Sequence, residues 1–299
     1  MHDSPIPYLD RIRNYYLTLG YEKPYQWAKF DHVPFFPLPG PLDQCRIGLV
    51  TTAAPFQPNA GDQGPGADYN AAAKFYSVYA MPIEGQPDVR ISHVGYDRKH
   101  TTATDVNTWF PLQQLKLAQQ RGEIGSLSKR FYGLPTNRSQ ATTLERDCLE
   151  LLTLVKQDKV DAIVLVPNCP VCHQSCSLAA RHLEQNEVAT VVMGCARDIV
   201  EHIGVPRFLF SDLPLGNAAG KPGDPHSQRQ TLATALRLLG TATQPRTTMQ
   251  SPVQWSKNNS WKQDFYNIEQ MSSAEIAKLR EDFDSQKAIA RLKRNQQDL

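Results

Sequence analysis

The sequence predicts an α/β protein in which a mainly parallel sheet carries helices on both faces, with an N-terminal arm and a C-terminal helical tail. Two observations support this fold class. Strand and helix patterns alternate from about residue 46 to residue 240, which is typical of a parallel sheet. The segment VDAIVLVP (160–167) shows no polar alternation, as expected for a parallel strand that is covered on both faces.

The individual elements follow from periodicity and from turn-forming residues. Short apolar or alternating runs bounded by turn signals predict strands. These strands are expected near residues 46–52, 88–94, 161–167, 188–194 and 207–211. Apolar residues at helical spacing predict helices, with Pro111 at one helix start and Gly240 at one helix end. The helices are expected at 110–125, 142–157, 196–204, 227–240, after the cysteines near 170 and again from about 273.

The same patterns divide the chain into three parts. Residues 1–44 are rich in proline and aromatic side chains, which suits an arm wrapped over a core. The α/β domain is predicted over 45–245. A polar, irregular linker and a helical tail make up 246–299, and the tail helix is predicted to begin at a capping box formed by Ser272 and Glu275.

Composition argues against several classes of function and location. The formal net charge of +2 gives no strong field for nucleic acid or for an anionic membrane surface. No apolar run approaches the ~20 residues of a membrane helix, and the first twenty residues carry charges where a signal peptide has an apolar core. The 6 cysteines do not resemble a secreted disulfide framework, so the cytoplasm is the expected compartment.

The strongest chemical pattern is PNCPVCHQSC, which places Cys169, Cys172 and Cys176 directly after the strand 161–167. Ligands bind outside the carboxyl ends of parallel strands, and a helix start favours an anion such as a thiolate. A C-x-x-C pair between a strand and a helix is the arrangement of thiol redox proteins. Cys169 and Cys172 are therefore predicted as a nucleophile and its resolving thiol, able to close a disulfide after one turnover.

A metal site is the main alternative. Cys169, Cys172 and Cys176 have the residue types to hold zinc or an iron–sulfur cluster, with His173 or Cys195 as a fourth ligand. The protein would then be a non-catalytic binding or scaffold protein. We rank this alternative second and expect no cofactor, because the sequence contains no second C-x-x-C and no H-x-x-x-H.

Two polar loops supply candidate substrate-binding residues. One is SHVGYDRKHTTATDVNTWFP (92–111), after the predicted strand 88–94, and the other is SDLPLGNAAG (211–220). Loops in such positions carry function, histidine shuttles protons near neutral pH, and arginine binds carboxylates bidentately. The predicted substrate-binding residues are His93, Tyr96, Asp97, Arg98, Asn107, Asn168 and Asn217.

Four segments resemble, in the same order, the selenoprotein B subunit family of the glycine, sarcosine, betaine and D-proline reductases. The segments are ISHVGYDRKHTTATDVNTWFPLQQL, GEIGSLSKRFYG, PNCPVCHQSC and FSDLPLGNAAG. The resemblance covers roughly residues 44–240. It implies that Cys169 stands where the family has a selenocysteine that attacks the carbon bearing the amine, and that Cys172 is the resolving thiol.

This resemblance implies a function and a set of partners. The chain would be a cysteine-dependent reductase subunit that cleaves a C–N or C–S bond of a small amine or amino-acid-like substrate. Its partners would be a thiol electron donor such as a thioredoxin-like protein, and a second subunit that supplies a pyruvoyl group, or a second copy of the chain.

Overall fold

The computed structural model describes residues 4–297. In chain order the strands are β1 (Arg46–Thr51), β2 (Ala54–Pro55), β3 (Tyr79–Pro82), β4 (Val89–Arg90), β5 (Ser126–Leu127), β6 (Arg130–Gly133), β7 (Ala162–Val166), β8 (Ala189–Gly194), β9 (Arg207–Phe210) and β10 (Thr247–Gln250). The α-helices are α1 (Tyr8–Thr18), α2 (Leu112–Gln120), α3 (Gln140–Thr142), α4 (Cys148–Gln157), α5 (Pro170–Gln185), α6 (Arg197–Ile203), α7 (Pro225–Thr241) and α8 (Ser273–Gln297).

Short helical turns connect several of these elements. The π-helical turn Thr143–Asp147 joins α3 to α4. The 3-10 turns are Leu42–Gln44, Ala71–Ala73, Val106–Thr108, Ser260–Gln263 and Ile268–Gln270. Within residues 4–297, no helix combines the length and the apolar character that crossing a bilayer requires.

The main sheet has eight strands in the order β10-β9-β8-β7-β1-β6-β3, with β5 also beside β1. Neighbouring strands run parallel, except that β3 is antiparallel to β6. The central pair is β1 and β7, whose register joins Ile47 to Ala162 and Thr51 to Val166. The predicted mainly parallel sheet is therefore confirmed.

Both faces of this sheet are covered by helices, as predicted. Within β7, Val164 and Val166 belong to one core together with residues of α2 and α7. The alternate residues Ile163 and Leu165 belong to a second core together with residues of α4 and α5. This division explains why β7 is apolar throughout, because each of its faces is buried against a different helical layer.

Four of the five predicted strands are confirmed, as β1, β7, β8 and β9. The fifth prediction, a strand over 88–94, is wrong beyond its first residues. Only Val89–Arg90 is extended, and it pairs antiparallel with β2 in a separate two-stranded sheet. From residue 91 the chain leaves this sheet and passes over the loop that carries Cys169. There the carbonyl of His93 accepts a hydrogen bond from the Arg98 side chain rather than from a neighbouring strand.

Four strands of the main sheet were not predicted, and the first of them, β5, is only two residues long. β3 and β6 are four residues each, and β6 contains Arg130 and Gly133, which obscure its apolar character. The edge strand β10 (TTMQ) is polar and only half-buried. It lies just past the predicted domain boundary at 245, within the linker that was expected to be irregular.

The N-terminal arm lies on the helices that follow β7 and β8. The backbone N–H of Leu9 donates to Asp198 of α6 at 2.8 Å, and that of Ala28 donates to Gln174 of α5 at 2.8 Å. Further along, Phe36 is held by a buried ion pair between Glu184 and Arg207. Its N–H donates to the carboxylate, and its carbonyl accepts from the guanidinium.

Candidate active site

The cysteine pair lies at the junction of β7 and α5, as predicted. Cys169 is the extended N-cap residue of α5, and Pro170 occupies the first helical turn, where its missing N–H leaves no hydrogen bond unmade. The backbone N–H of Cys172 donates to Sγ of Cys169 at 3.1 Å. The sulfur thus takes the place of the oxygen with which serine or aspartate usually caps a helix, and this contact favours a thiolate.

Cys169 and Cys172 form a disulfide, with their Cα atoms 4.9 Å apart. The two sulfurs differ in their access to ligands. Cys169 is 5% exposed and lines a cavity, whereas Cys172 is fully buried behind it. A reactant in the cavity therefore meets Cys169 first.

The pair lies at the topological switch point of the sheet. After β1 the chain continues toward β6 on one side, and after β7 it continues toward β8 on the other. Diverging connections of this kind leave a crevice at the carboxyl ends of the two strands, where open α/β sheets bind ligands. The backbone N–H of Asn168 donates to Oγ1 of Thr52 at 3.0 Å and joins the two loops at the bottom of this crevice.

A cavity of about 70 Å³, here called the thiol pocket, lies against Cys169. Its wall combines the loops after β6 and β7 with parts of the arm and the tail. Residues on its wall include Ile12, Tyr16, Tyr69, Lys74, His93, Thr136, Arg138, Cys169 and Tyr266. The 92–111 loop comes close to the start of α5 at Gly95, where a Cβ atom would collide with the ring of Pro170.

A second cavity of about 230 Å³, here called the vestibule, adjoins the thiol pocket and shares Ile12, Tyr16, Arg138 and Val171 with it. Aromatic and basic side chains from the arm and α8 make up the rest of its wall. These are Tyr21, Lys23, Tyr25, Trp27, Phe283 and Lys287. The vestibule therefore gives the thiol pocket an aromatic and cationic approach.

His93 is the buried histidine of the thiol pocket. Its Nε2 atom lies 3.4 Å from Oγ1 of Thr136, and the same hydroxyl lies 3.2 Å from Sγ of Cys172. The Nδ1 atom is buried and has no hydrogen-bond partner among the described residues. Burial, followed by the charges of Lys74 and Arg98, lowers the pKa of His93 to about 3, so the imidazole is neutral.

Positive charge dominates the two cavities. Burial, followed by the charges of Arg138 and Arg294, lowers the pKa of Lys74 to about 8. Arg138 is exposed and lies over the rings of Tyr16 and Phe283, at 5.9 and 5.5 Å. Since no Asp or Glu among the described residues lines either cavity, these cations suit an anionic group such as a carboxylate.

Of the seven predicted substrate-binding residues, His93 lines the thiol pocket. Tyr96 and Arg98 line a different cavity of about 220 Å³ on the other side of the polar loop. Arg98 donates to the carbonyls of Ala67 and His93, at 2.7 and 2.6 Å, and so holds the loop in shape. Tyr96 packs against Gly216, whose φ of +107° and lack of a Cβ atom allow this contact.

The remaining predicted residues make local contacts in the structure. The carboxylate of Asp97 contacts His100 Nδ1 at 2.9 Å. Asn107 donates to Asp105 and Asn217 donates to Pro214, while Oδ1 of Asn217 also accepts from Thr101 of the 92–111 loop at 3.4 Å. The side chain of Asn168 is fully buried next to Cys169, with no hydrogen-bond partner among the described residues.

The predicted four-ligand metal sets do not come together. His173 uses both ring nitrogens: Nδ1 donates to the Cys169 carbonyl at 2.7 Å, and Nε2 accepts the N–H of Cys195 at 3.0 Å. Cys176 packs in the core between α4 and α5, because seven residues of helix carry it about 10 Å from Cys169. Cys195 belongs to the opposite core.

Within residues 4–297, one group of His, Cys, Asp or Glu side chains has a geometry suited to a metal ion. It consists of His93, Cys169 and Cys172. His93 was predicted for a different role, as a substrate-binding residue.

Sequence reasoning missed several residues that form the thiol pocket, notably Tyr16, Lys74, Arg138 and Tyr266. Arg138 follows β6, which was not predicted, so nothing placed it at the sheet edge. Tyr16 and Tyr266 come from the arm and the tail, whose aromatic content was the available clue. Nothing in the sequence marks Lys74.

Fold and site together define an α/β protein with a thiol pair at the carboxyl edge of its parallel sheet. Comparison with known families assigns residues 17–168, about half of the chain, to the glycine/sarcosine/betaine reductase selenoprotein B family. The chain belongs to this family, as the resemblance predicted. The matched region ends one residue before Cys169.

Two curated relatives support this assignment. The D-proline reductase subunit gamma of Acetoanaerobium sticklandii is 27% identical over 173 residues, which cover 57% of this chain and 71% of the relative. The glycine reductase complex component B subunit gamma of Peptoclostridium acidaminophilum is 21% identical over 234 residues, which cover 76% of this chain and 52% of the relative. The chain thus spans about half the length of the second relative. No solved structure matches the chain.

Proposed function

We propose that this chain is a reductase subunit that uses the dithiol form of Cys169 and Cys172 to cleave a C–N or C–S bond of a small amine or amino-acid-like substrate. The observation that carries the proposal is the disulfide at the head of α5, with one sulfur lining a cavity and the other buried behind it. Membership of a family whose relatives are named as reductase subunits supports it.

The first half of the proposed reaction is a displacement. The Cys169 thiolate attacks the carbon that bears the amine or sulfur substituent, so that an S–C bond forms and the C–N or C–S bond breaks. The leaving group departs with the bonding electron pair and takes up a proton. The N–H of Cys172 stabilises the attacking thiolate through its 3.1 Å contact with Cys169 Sγ.

The second half resolves the covalent adduct. The Cys172 thiolate attacks Sγ of Cys169, an S–S bond forms and the S–C bond breaks. The carbon leaves with the electron pair and takes up a proton, so that the substrate gains two electrons while the pair becomes a disulfide. A thiol donor such as a thioredoxin-like protein then returns two electrons and two protons to the pair.

The surrounding residues fit an amino-acid-like substrate. Lys74 and Arg138 are placed to hold a carboxylate, and the rings of Tyr16 and Tyr266 exclude water from the thiol pocket. We assign the activation of the amine to a partner subunit, as the family resemblance implies.

A single-turnover experiment tests this proposal. The protein is reduced, freed of reductant under anaerobic conditions and mixed with glycine, D-proline, a thioether amino acid or the carboxamide of each. We expect a carboxylate substrate to consume two thiols per chain and to release one equivalent of amine, thiol or ring-opened product. The uncharged carboxamides are the control and should react more slowly. Failure of every compound to oxidise the pair, both as the free amine and as its imine with pyruvamide, which stands in for the pyruvoyl group of the partner subunit, would overturn the proposal.

A further inference from the structure

We propose that the reduced chain binds one Zn²⁺ ion through His93, Cys169 and Cys172, at a site that disulfide formation abolishes. One ring nitrogen of His93 and the two sulfurs all lie within 4.8 Å of one another, and all three residues are buried. The site differs from the set of clustered cysteines that the sequence pointed to, because Cys176 and Cys195 lie in separate cores.

The distances require little rearrangement. Tetrahedral zinc with bonds of about 2.3 Å to sulfur and about 2.0–2.1 Å to nitrogen places neighbouring donor atoms about 3.5–3.8 Å apart. Two unbonded sulfurs separate to about this distance once the disulfide is reduced. Rotation of the cysteine side chains therefore brings the three donors to zinc geometry without movement of α5.

The donors are also in the right chemical state. Nε2 of His93 lies 3.4 Å from Oγ1 of Thr136, the hydroxyl that also lies 3.2 Å from Sγ of Cys172, and Nδ1 is buried with no hydrogen-bond partner within residues 4–297. A ring nitrogen of His93 can thus bind a metal at the cost of no more than one long contact with the Thr136 hydroxyl. Two thiolates balance the charge of Zn²⁺, so the loaded site is neutral and tolerates burial beside Lys74.

Three protein ligands leave the fourth position of a tetrahedral ion open. Because Cys169 lines the thiol pocket, we expect this position to face the pocket, where water or an anionic ligand completes the coordination. Two cysteines and a histidine with one open position form a ligand set of the kind found in catalytic zinc sites rather than in closed structural ones.

Metal binding and disulfide formation exclude each other because both use the same sulfur electrons. When a disulfide compound oxidises the zinc-loaded form, it accepts two electrons from the two cysteine sulfurs and two protons from solvent and becomes two thiols. Cys169 and Cys172 then form their S–S bond, and Zn²⁺ is released. Zinc occupancy would therefore depend on the redox state of the pair. Bound zinc would also prevent the two thiols from taking part in the proposed reductase reaction.

Cobalt substitution tests the inference on the full chain. Protein reduced with a phosphine and freed of it is titrated anaerobically with Co²⁺. We expect one ion per chain, with thiolate charge-transfer absorption near ultraviolet wavelengths and tetrahedral d–d bands in the visible. Zn²⁺ should displace it. Oxidised protein should show neither band.

Variants identify the ligands. His93→Gln should weaken Co²⁺ binding more than about 100-fold, since even residues that only support a ligand contribute 10–100-fold. Cys169→Ser should weaken Co²⁺ binding and lower the charge-transfer intensity per bound ion to about half, because one thiolate ligand is left, and Cys176→Ala is the matched control that should bind as wild type. Absence of stoichiometric binding, unchanged affinity in His93→Gln or equal loss in Cys176→Ala would overturn the inference. Single-turnover reduction is measured without metal, so its outcome is independent of this test.

Discussion

The backbone N–H of Cys172 donates to Sγ of Cys169 across the first turn of α5, at 3.1 Å. The residue proposed to resolve the covalent adduct therefore also supports the thiolate that forms it. A helix N-terminus concentrates unpaired N–H groups, and a cysteine at the N-cap places its sulfur among them. One short segment, PNCPVC, thus supplies the nucleophile, its stabilising contact and its resolving partner.

Lys74 is expected to contribute to binding at a cost in stability. Its folded pKa of about 8 lies below the usual 10.5, so burial of the charged form destabilises the fold. This penalty is present in full below about pH 8 and disappears as pH rises toward 10.5, because the folded and unfolded states then carry the same charge. Lys74→Met should raise Tm at pH 7 by roughly 2–4 °C, equivalent to about 1 kcal/mol in a large domain.

The same variant should weaken recognition of a carboxylate. Loss of a charged hydrogen bond removes about 1.5–3 kcal/mol, so KM should rise roughly 10–100-fold for the carboxylate substrate and little for its carboxamide. The exposed Lys257→Met is the matched control and should change neither quantity. A Lys74→Met variant with normal KM would contradict the assigned role.

The buried pair of Glu184 and Arg207, at 2.7 Å, is expected to be strongly coupled. Arg207→Met leaves an unpaired buried carboxylate and should lower the free energy of unfolding by about 3–5 kcal/mol. The double variant Glu184→Gln with Arg207→Met should lose less than the single variant. Urea denaturation measures both.

A surface pair provides the matched control for this prediction. Arg197→Met removes a cation from an exposed pair with Glu201, at 3.0 Å, and should cost no more than about 0.5 kcal/mol. Because Arg207 also bonds the carbonyl of Phe36, its loss should make the arm more sensitive to proteases. Equal losses of unfolding free energy in Arg207→Met and Arg197→Met would refute the strong coupling of Glu184 and Arg207.

The contribution of His173 to stability should depend on pH. Burial lowers its folded pKa to about 4, below the usual 6.5. Between these values the unfolded chain binds a proton that the folded chain does not, so the wild type loses stability on acidification. The stability difference between wild type and His173→Asn should therefore shrink by about 1.4 kcal/mol per pH unit from pH 6.5 toward 4. A difference that stays constant over this range would contradict the assignment.

The sheet could be predicted from sequence where burial leaves a compositional mark. The strand β7 is apolar because both faces are covered, and β1, β8 and β9 share this character. Edge strands carry no such mark: β10 is half-buried and reads TTMQ. Segment 88–94 has strand-like alternation, but from residue 91 it packs over the loop that carries Cys169 instead of pairing with a strand.

The candidate site was predictable only in part for a related reason. The cysteine pair is local in sequence, so a short pattern identifies it. The pocket wall is assembled over long distances, with Tyr16 from the arm, Lys74 from an irregular loop and Tyr266 from the tail. Cys176 is close to Cys169 and Cys172 in sequence, but the geometry of α5 directs its side chain into the core.

In the proposed reaction Cys169 attacks the substrate and Cys172 resolves the adduct. The most direct measurement is intact-protein mass spectrometry of reduced variants after mixing with substrate, followed by peptide mapping. We expect Cys172→Ser to gain one substrate-derived mass on Cys169 and to stop there, because nothing releases the adduct. Cys169→Ser should gain no mass, and Cys176→Ala should turn over as wild type. An adduct on Cys172 in the Cys169→Ser variant, or full turnover by Cys172→Ser, would refute these two roles.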